Sequence, residues 1–319
     1  MAYAVRWRPT RTRRTAYAEV FPIDRERARD MSEFIQYTLQ GLAAGGFYAL
    51  SALGLAVIFG VLGVVNFSHG ACYMLGAVIS AVLLGELHVG FWVALVVVPI
   101  LMFGFGVLME RLLVRWLLAL DPLYNFLLTF GLTLILVEAV KQRYGVSGLP
   151  YEVPAGLTGQ VSIGSVNLST YAIFACLFSV VVCVAVGLLL TKTRIGMIVR
   201  ASTEAPERTR ALGINVGRWV TPVFGFGIAL AGLAGVLAAP TRAITAEMGS
   251  NFIIILFAVV VIGGLGSILG AVVAGFLVGL VEAYGIAYAP TYAQIVIFVL
   301  MALVVLVRPS GLFGREEVA

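Results

Sequence analysis

Charge is scarce in this sequence: Asp, Glu, Lys and Arg make up 12% of its 319 residues, against 61% hydrophobic residues and a mean hydropathy of +1.03. A soluble domain carries about twice that charged fraction, so the soluble class is excluded and an integral membrane protein is indicated. Histidine is scarce. His69 precedes Cys72 by three residues, but with no further His, Asp or Glu nearby the pair falls short of a metal site, and packing or a hydrogen bond to a neighbouring helix is its expected use. The only cysteines, Cys72, Cys176 and Cys183, lie in apolar surroundings and read as small buried hydrophobes. No GxxxxGKS/T phosphate loop occurs, so the chain does not hydrolyse ATP by itself in the usual way. Neither GxSxG nor HExxH is present, which removes the intramembrane-protease reading and leaves no catalytic residues to assign. Nor are there ten-residue alternating strands; the apolar runs are of helix length, which sets aside an outer-membrane barrel.

The charge that is present is clustered. Residues 1–30 hold eight Arg against four acids, and residues 192–220 hold six bases against two, so the remainder is net negative. That clustering is the positive-inside bias of a membrane protein rather than a nucleic-acid footprint. No apolar core follows the Arg13–Arg14 pair, so residues 1–30 are not a secretion signal. They are expected to be a disordered cytoplasmic arm drawn to acidic lipid, or the product of a start placed too early, with Met31 the true beginning.

Apolar blocks run over about 35–65, 71–84, 92–108, 126–140, 171–190, 222–239, 252–284 and 293–306. The first and seventh are too long for one comfortable crossing and too short for two. If both are broken and return, the N-terminus, Arg111, Arg115, the 192–220 loop and Arg308 share the cytoplasmic side, leaving only Lys141, Arg143 and Arg242 opposite. The expected fold is therefore all-α and polytopic, with about eight membrane-spanning regions, two of them broken, up to ten segments in all, and both termini cytoplasmic. Residues 31–313 form one membrane domain and 314–319 a tail. The segment 145–169 has no Lys or Arg, reads as an external loop, and contains an alternating QVSIGSVNLS hairpin candidate.

Three stretches are candidates for function. The 192–220 loop reads as a short cytoplasmic helix that docks another protein: Ser202 or Thr203 can cap it, Pro206 suits its first turn and Gly213 its end. Glu204 and Arg208 share a face, and Ile195, Ile198 and Val199 form an apolar stripe that needs a partner surface. NFSHG at 66–70 and GGLGSILG at 263–270 are either close-packing surfaces or unwound points lining a path. Among the acids, Glu110 beside Arg111 and Glu138 three before Lys141 read as interfacial pairs, whereas Glu282 has only uncharged neighbours.

The GLAAGGFYALSALGLAVIFGVLGVVNFSHG run, the TRIGMIVRASTEAPERTRALGINV loop and the FAVVVIGGLGSILGAVVAGFLVGLVEAYG run, in that order, resemble bacterial branched-chain amino acid ABC transporter permeases of the LivH type, over about residues 31–313. The resemblance implies a multi-pass inner-membrane subunit with no cofactor of its own. It would pair with a second related permease, two cytoplasmic ATP-binding subunits and an external solute-binding protein. The carried-over loop positions are Gly196, Arg200, Ala201, Glu204, Ala211, Leu212, Gly213, Ile214 and Asn215, as the element that couples to the ATPase. The membrane motifs fall on Asn66, Phe67, Ser68, His69 and Gly70, where relatives commonly carry NFAHG, and on Gly263, Gly264, Leu265, Gly266 and Ser267. The Arg-rich arm is outside the family pattern. Urea and short amides are the other substrates the resemblance admits, and an ion-coupled secondary transporter or channel is the rival mechanism.

Overall fold

A computed structural model describes residues 22–63, 65–118, 120–163, 166–204 and 206–314, excluding the side chains of 22–30, 163, 166, 203, 204, 206 and 207. Residues 1–21 of the Arg-rich arm and the tail beyond 314 lie outside the described residues. In chain order come α1 (Pro22–Leu62), α2 (His69–Gly85), and α3 (Phe91–Met109), which runs through a π-helical turn (Glu110–Val114) into the short α4 (Arg115–Leu117). Then follow α5 (Pro122–Tyr144), the strands β1 (Gln160–Ile163) and β2 (Val166–Ser169), and α6 (Thr170–Lys192). The remainder is α7 (Arg194–Glu204), α8 (Pro206–Ala211), α9 (Gly217–Ala238), α10 (Met248–Gly263), α11 (Ile268–Tyr288) and α12 (Ala293–Val307). Among the described residues seven helices are long and apolar enough to cross a membrane. The apolar α2 and α10, with 17 and 16 residues, reach only about 25 Å at 1.5 Å per residue and fall short of a bilayer core. The protein is thus all-α and polytopic, apart from one antiparallel hairpin that pairs Gln160 with Ser169 where the alternating sequence placed it.

Two ends of the bundle can be told apart by contacts. At one, Gln36 in the first half of α1 donates to the Asn167 carbonyl of β2 at 3.1 Å, and the Phe34 ring lies 5.7 Å from that of Tyr284, late in α11. At the other, α6 runs into α7, and Gly266, between α10 and α11, lies against Phe59 and Gly60 of α1. The first apolar block is therefore not broken within: α1 is one continuous helix and the break follows it, with Gly63 and residues 65–68 outside any helix. The reason is that no proline interrupts this block and its glycines serve packing. A methyl group on Gly45 would come within 2.7 Å of Phe276 Cα, and one on Gly41 within 2.9 Å of Leu280 Cα, so these positions hold α1 against α11 at backbone distance. An unbroken α1 puts its start at the hairpin end, opposite the 192–220 loop, which corrects the expectation that both share a side. The C-terminal segment stays with the loop end: Leu312 and Phe313 donate to the Ile262 and Gly263 carbonyls that α10 leaves free.

The core is built on α1 and α9, whose most apolar windows are 78% buried, against 11–33% for the other five long helices. Tyr48, Leu50, Leu53, Ile58, Phe224, Ile228 and Leu237 are fully enclosed there. Trp92, Ile100, Leu134, Val181 and Leu303 on the outer helices face outwards, as lipid-facing surface requires.

Candidate functional site: a charged cavity and a coupling surface

The NFSHG turn sits within the bundle, about three helical turns in from the end of α1, because the His69 ring donates from Nε2 to the carbonyl of Ser51 at 3.0 Å. This is the helix-to-helix hydrogen bond expected of His69. Buried backbone in a break has to find partners, and α5 supplies them. Thr129 Oγ1 accepts from Phe67 N at 3.3 Å, Thr133 Oγ1 donates to Phe67 O at 3.3 Å, and Asn66 Oδ1 accepts from the Ser68 amide and hydroxyl at 3.1 and 2.6 Å. The Asn66 Nδ2 group, enclosed with its residue 3% exposed, has no partner among the described residues. Gly70 opens α2 against Gly249 of α10, where a methyl on Gly249 would lie 2.6 Å from the Gly70 carbonyl oxygen.

The second break, between α10 and α11, lies at the loop end. Gly264 has φ +100°, which glycine adopts without strain, and Ser267 caps α11 by accepting from Gly270 N at 3.1 Å. Gly263 packs on Gly270 at the start of α11 and Gly264 is covered by the C-terminal segment, while Leu265 is exposed. The two glycine motifs thus occupy different levels of the bundle and do not form one site.

The basic loop folds into two helices rather than one. Ser202 and Thr203 sit inside α7 instead of capping it, Pro206 opens α8, and Gly213 at φ +82° ends it, its amide donating to Arg210 O at 2.9 Å. Glu204 and Arg208 fall on separate helices, and the Glu204 side chain lies outside the described residues. Thr209 Oγ1 donates to the Ala201 carbonyl at 2.8 Å and ties the pair together, while Arg200 Nη2 reaches back to the Thr191 carbonyl of α6 at 3.2 Å. The inward face of α7 is Gly196, Val199 and Ser202, with Gly196 pressed on the last carbonyls of α6. Of the expected stripe Val199 is buried and Ile198 half-buried; Ile195 points out with Met197, and Ala211 at the end of α8 and Leu212, Gly213 and Asn215 beyond it are exposed. Asn215 also lines a 750 Å³ groove with Arg111, Arg115 and Arg218.

Glu110, 1% exposed, is not paired with its neighbour Arg111. It binds Arg115 through Nε and Nη2 at 3.2 and 3.3 Å and accepts from Thr221 at 2.7 Å. The π turn brings residues five apart onto one face and so creates this pair.

Glu282 proves to be the acid of a buried cluster. Its partner, Arg242, lies on the loop after α9, which is pinned by the Arg242 amide on Ala238 O and by a bridge between Leu149 and Ile244. Arg242 Nη2 donates to Glu282 Oε2 and Oε1 at 3.0 and 3.3 Å and to the Tyr48 hydroxyl at 3.4 Å; that hydroxyl donates to Glu282 at 2.9 Å. Phe252 stacks between Tyr48 and Tyr73, at 5.3 and 3.7 Å from their centroids. Arg242, Glu282, Phe252 and Tyr73 line a 990 Å³ cavity reached from the hairpin end, past Tyr37, Gln40 and Ser169, with Tyr48 enclosed behind them. Sequence reasoning passed over Arg242, Tyr48 and Tyr73. The available signal was that Arg242 and Glu282 are each isolated charges beside apolar blocks, and isolated charges in a membrane protein seek one another.

The model of the family described as the branched-chain amino acid transport system permease component matches residues 37–305. This chain belongs to that family. The permease is 31% identical over 306 residues to the high-affinity branched-chain amino acid transport system permease protein BraD of Pseudomonas aeruginosa, covering 91% of this chain and 98% of BraD. To LivH of Escherichia coli, named as the same kind of permease protein, it is 30% identical over 304 residues, 89% of this chain and 97% of LivH. It is also 26% identical over 288 residues to LivM of Escherichia coli, a permease protein of the same kind of system, covering 83% of this chain and 67% of LivM. No solved structure matches the permease.

Proposed function

We propose that this chain is one of a pair of permease subunits in an ATP-driven importer of branched-chain amino acids. In this reading it spans the bacterial inner membrane and sits on two cytoplasmic ATP-binding subunits, which bind the ATP. A soluble solute-binding protein delivers substrate at the hairpin end. The names of BraD and LivH support the substrate class, and the likeness to LivM supports a related second permease. The observation that carries the coupling is the α7–α8 pair. It is anchored inwards through Gly196, Val199 and Thr209, yet presents Ile195, Met197 and Leu212 outwards at 50%, 53% and 81% exposure. A basic element with a fixed inner face and an apolar outer one suits a protein partner, and its anchoring to α6 and α1 can pass movement into the membrane helices. Closure of the ATPase pair would shift the population between conformations open to either side.

The test is leucine uptake into proteoliposomes holding this permease, its partner permease, the ATP-binding subunits and the binding protein. ATP-dependent accumulation that disappears when the ATP-binding subunits are left out is expected. Accumulation by the permeases alone, driven by a sodium or proton gradient, would sink this reading in favour of secondary transport.

A further inference from the structure

We infer that Arg242 and Glu282 form a recognition site for a zwitterionic α-amino acid: the substrate carboxylate takes the place of Glu282 on Arg242, and its ammonium takes the place of Arg242 on Glu282. This rests on the importer reading and narrows its substrates to solutes carrying both charges, leaving urea and neutral amides out.

Four observations converge on the pair. First, an acid and a base in an apolar bundle are costly to keep, and a purely structural pair is readily replaced by packed hydrophobic residues. Second, the pair is loosely made. All contacts from Arg242 to Glu282 and Tyr48 run through the single nitrogen Nη2 at 3.0–3.4 Å, whereas a committed guanidinium–carboxylate pair uses two nitrogens at about 2.7–2.9 Å. A second carboxylate arriving from the cavity can be held in the two-pronged way that Glu282 is not. Third, the pair lines a cavity of 990 Å³, and the side chains of Arg242 and Glu282 keep 34% and 12% of their surface exposed. Fourth, the Tyr73 hydroxyl, in a residue 1% exposed that lines the same cavity, has no hydrogen-bond partner among the described residues. An enclosed hydroxyl without a partner is a vacancy for a polar ligand atom. The stacked Phe252 and Tyr73 rings on the cavity wall offer an apolar surface to an aliphatic side chain.

Exchange of ion-pair partners also suits transport. Each charge stays paired as substrate arrives and leaves, so no bare charge is stranded and net binding stays weak enough for release. The test uses the complete importer in proteoliposomes, with Cys176 replaced and Thr241→Cys placed at the cavity wall. Millimolar leucine should slow modification of that cysteine by a charged thiol reagent. Leucinamide, which lacks the carboxylate, and 4-methylpentanoate, which lacks the ammonium, should not. Because a single neutralisation leaves a buried charge alone, the decisive variant is Arg242→Gln with Glu282→Gln. It should keep basal ATP hydrolysis and complex assembly while leucine protection is lost and leucine uptake falls about tenfold or more. Retained protection and uptake in the double variant overturn the site, as does equal protection by leucinamide or urea. Charge-dependent protection without ATP-driven uptake upholds the site while sinking the importer reading.

Discussion

Two carboxylates sit among the helices, Glu110 fully buried and Glu282 on a cavity wall, and they are held differently. Glu110 receives two nitrogens of Arg115 and the Thr221 hydroxyl, whose 2.7 Å contact closes the shell, and Arg115 also donates to Thr221 at 2.8 Å. Nothing in that arrangement invites a second ligand, so it reads as a clamp between the end of α3 and the start of α9. Removing one partner of such a pair strands the other, at a cost of about 3 kcal/mol, whereas removing both is far milder. Arg115→Ala should therefore lower the thermal stability of the detergent-purified permease strongly, and Glu110→Gln combined with Arg115→Gln should recover most of the loss. Equal destabilisation by the single and double variants would show that the two side chains act independently. Glu282, with its one-nitrogen contact and open cavity, is held in a way that leaves room for a ligand.

Glycine decides how the helices are read, and its effect depends on a partner that the sequence does not display. The glycines at 41 and 45 and those at 263, 264 and 266 look alike as text. In the first group α11 lies against the helix and it stays intact; in the second, positive φ at Gly264 and Gly266 turns the chain. Gly45→Leu should consequently separate α1 from α11, costing several kcal/mol as overpacking at backbone contact does, and the variant should elute as aggregate in size-exclusion chromatography. Leu212→Glu, on a side chain 81% exposed, should change stability by less than about 0.5 kcal/mol and instead weaken association with the ATP-binding subunits in pull-down. The helical class, the hairpin, the break after α10 and the turn at Gly213 were legible because each has a local signature: an apolar run, alternation, or a glycine at a turn. The charged cavity was not, since Arg242 meets Glu282 across 40 positions and Tyr48 across 194. The π turn under Glu110 was equally hidden, because no residue type marks an extra residue in a helical turn.

The whole molecule has two unlike ends. Arg111, Arg115, Arg218 and the α7–α8 pair gather at one, together with the C-terminal segment that caps α10. At the other, near the hairpin, Arg242 is matched by Glu282 and Arg143 lies 3.9 Å from Glu86, so these bases are offset by acids. Because orientation follows unbalanced Lys and Arg, the first end is the one expected to face the cytoplasm. With that orientation a continuous α1 would carry the chain from the outside inwards in one crossing, and the return would begin at the NFSHG turn and the short α2. Single cysteines in a cysteine-free background test this directly. Val161→Cys on the hairpin and Met31→Cys at the start of the apolar part of α1 should react with a membrane-impermeant maleimide added to intact cells. Leu212→Cys should react only after the membrane is opened. Labelling of positions 31 and 212 from the same face would mean that α1 turns back within the membrane, and the single crossing that fixes the cavity at the outer end would fall with it.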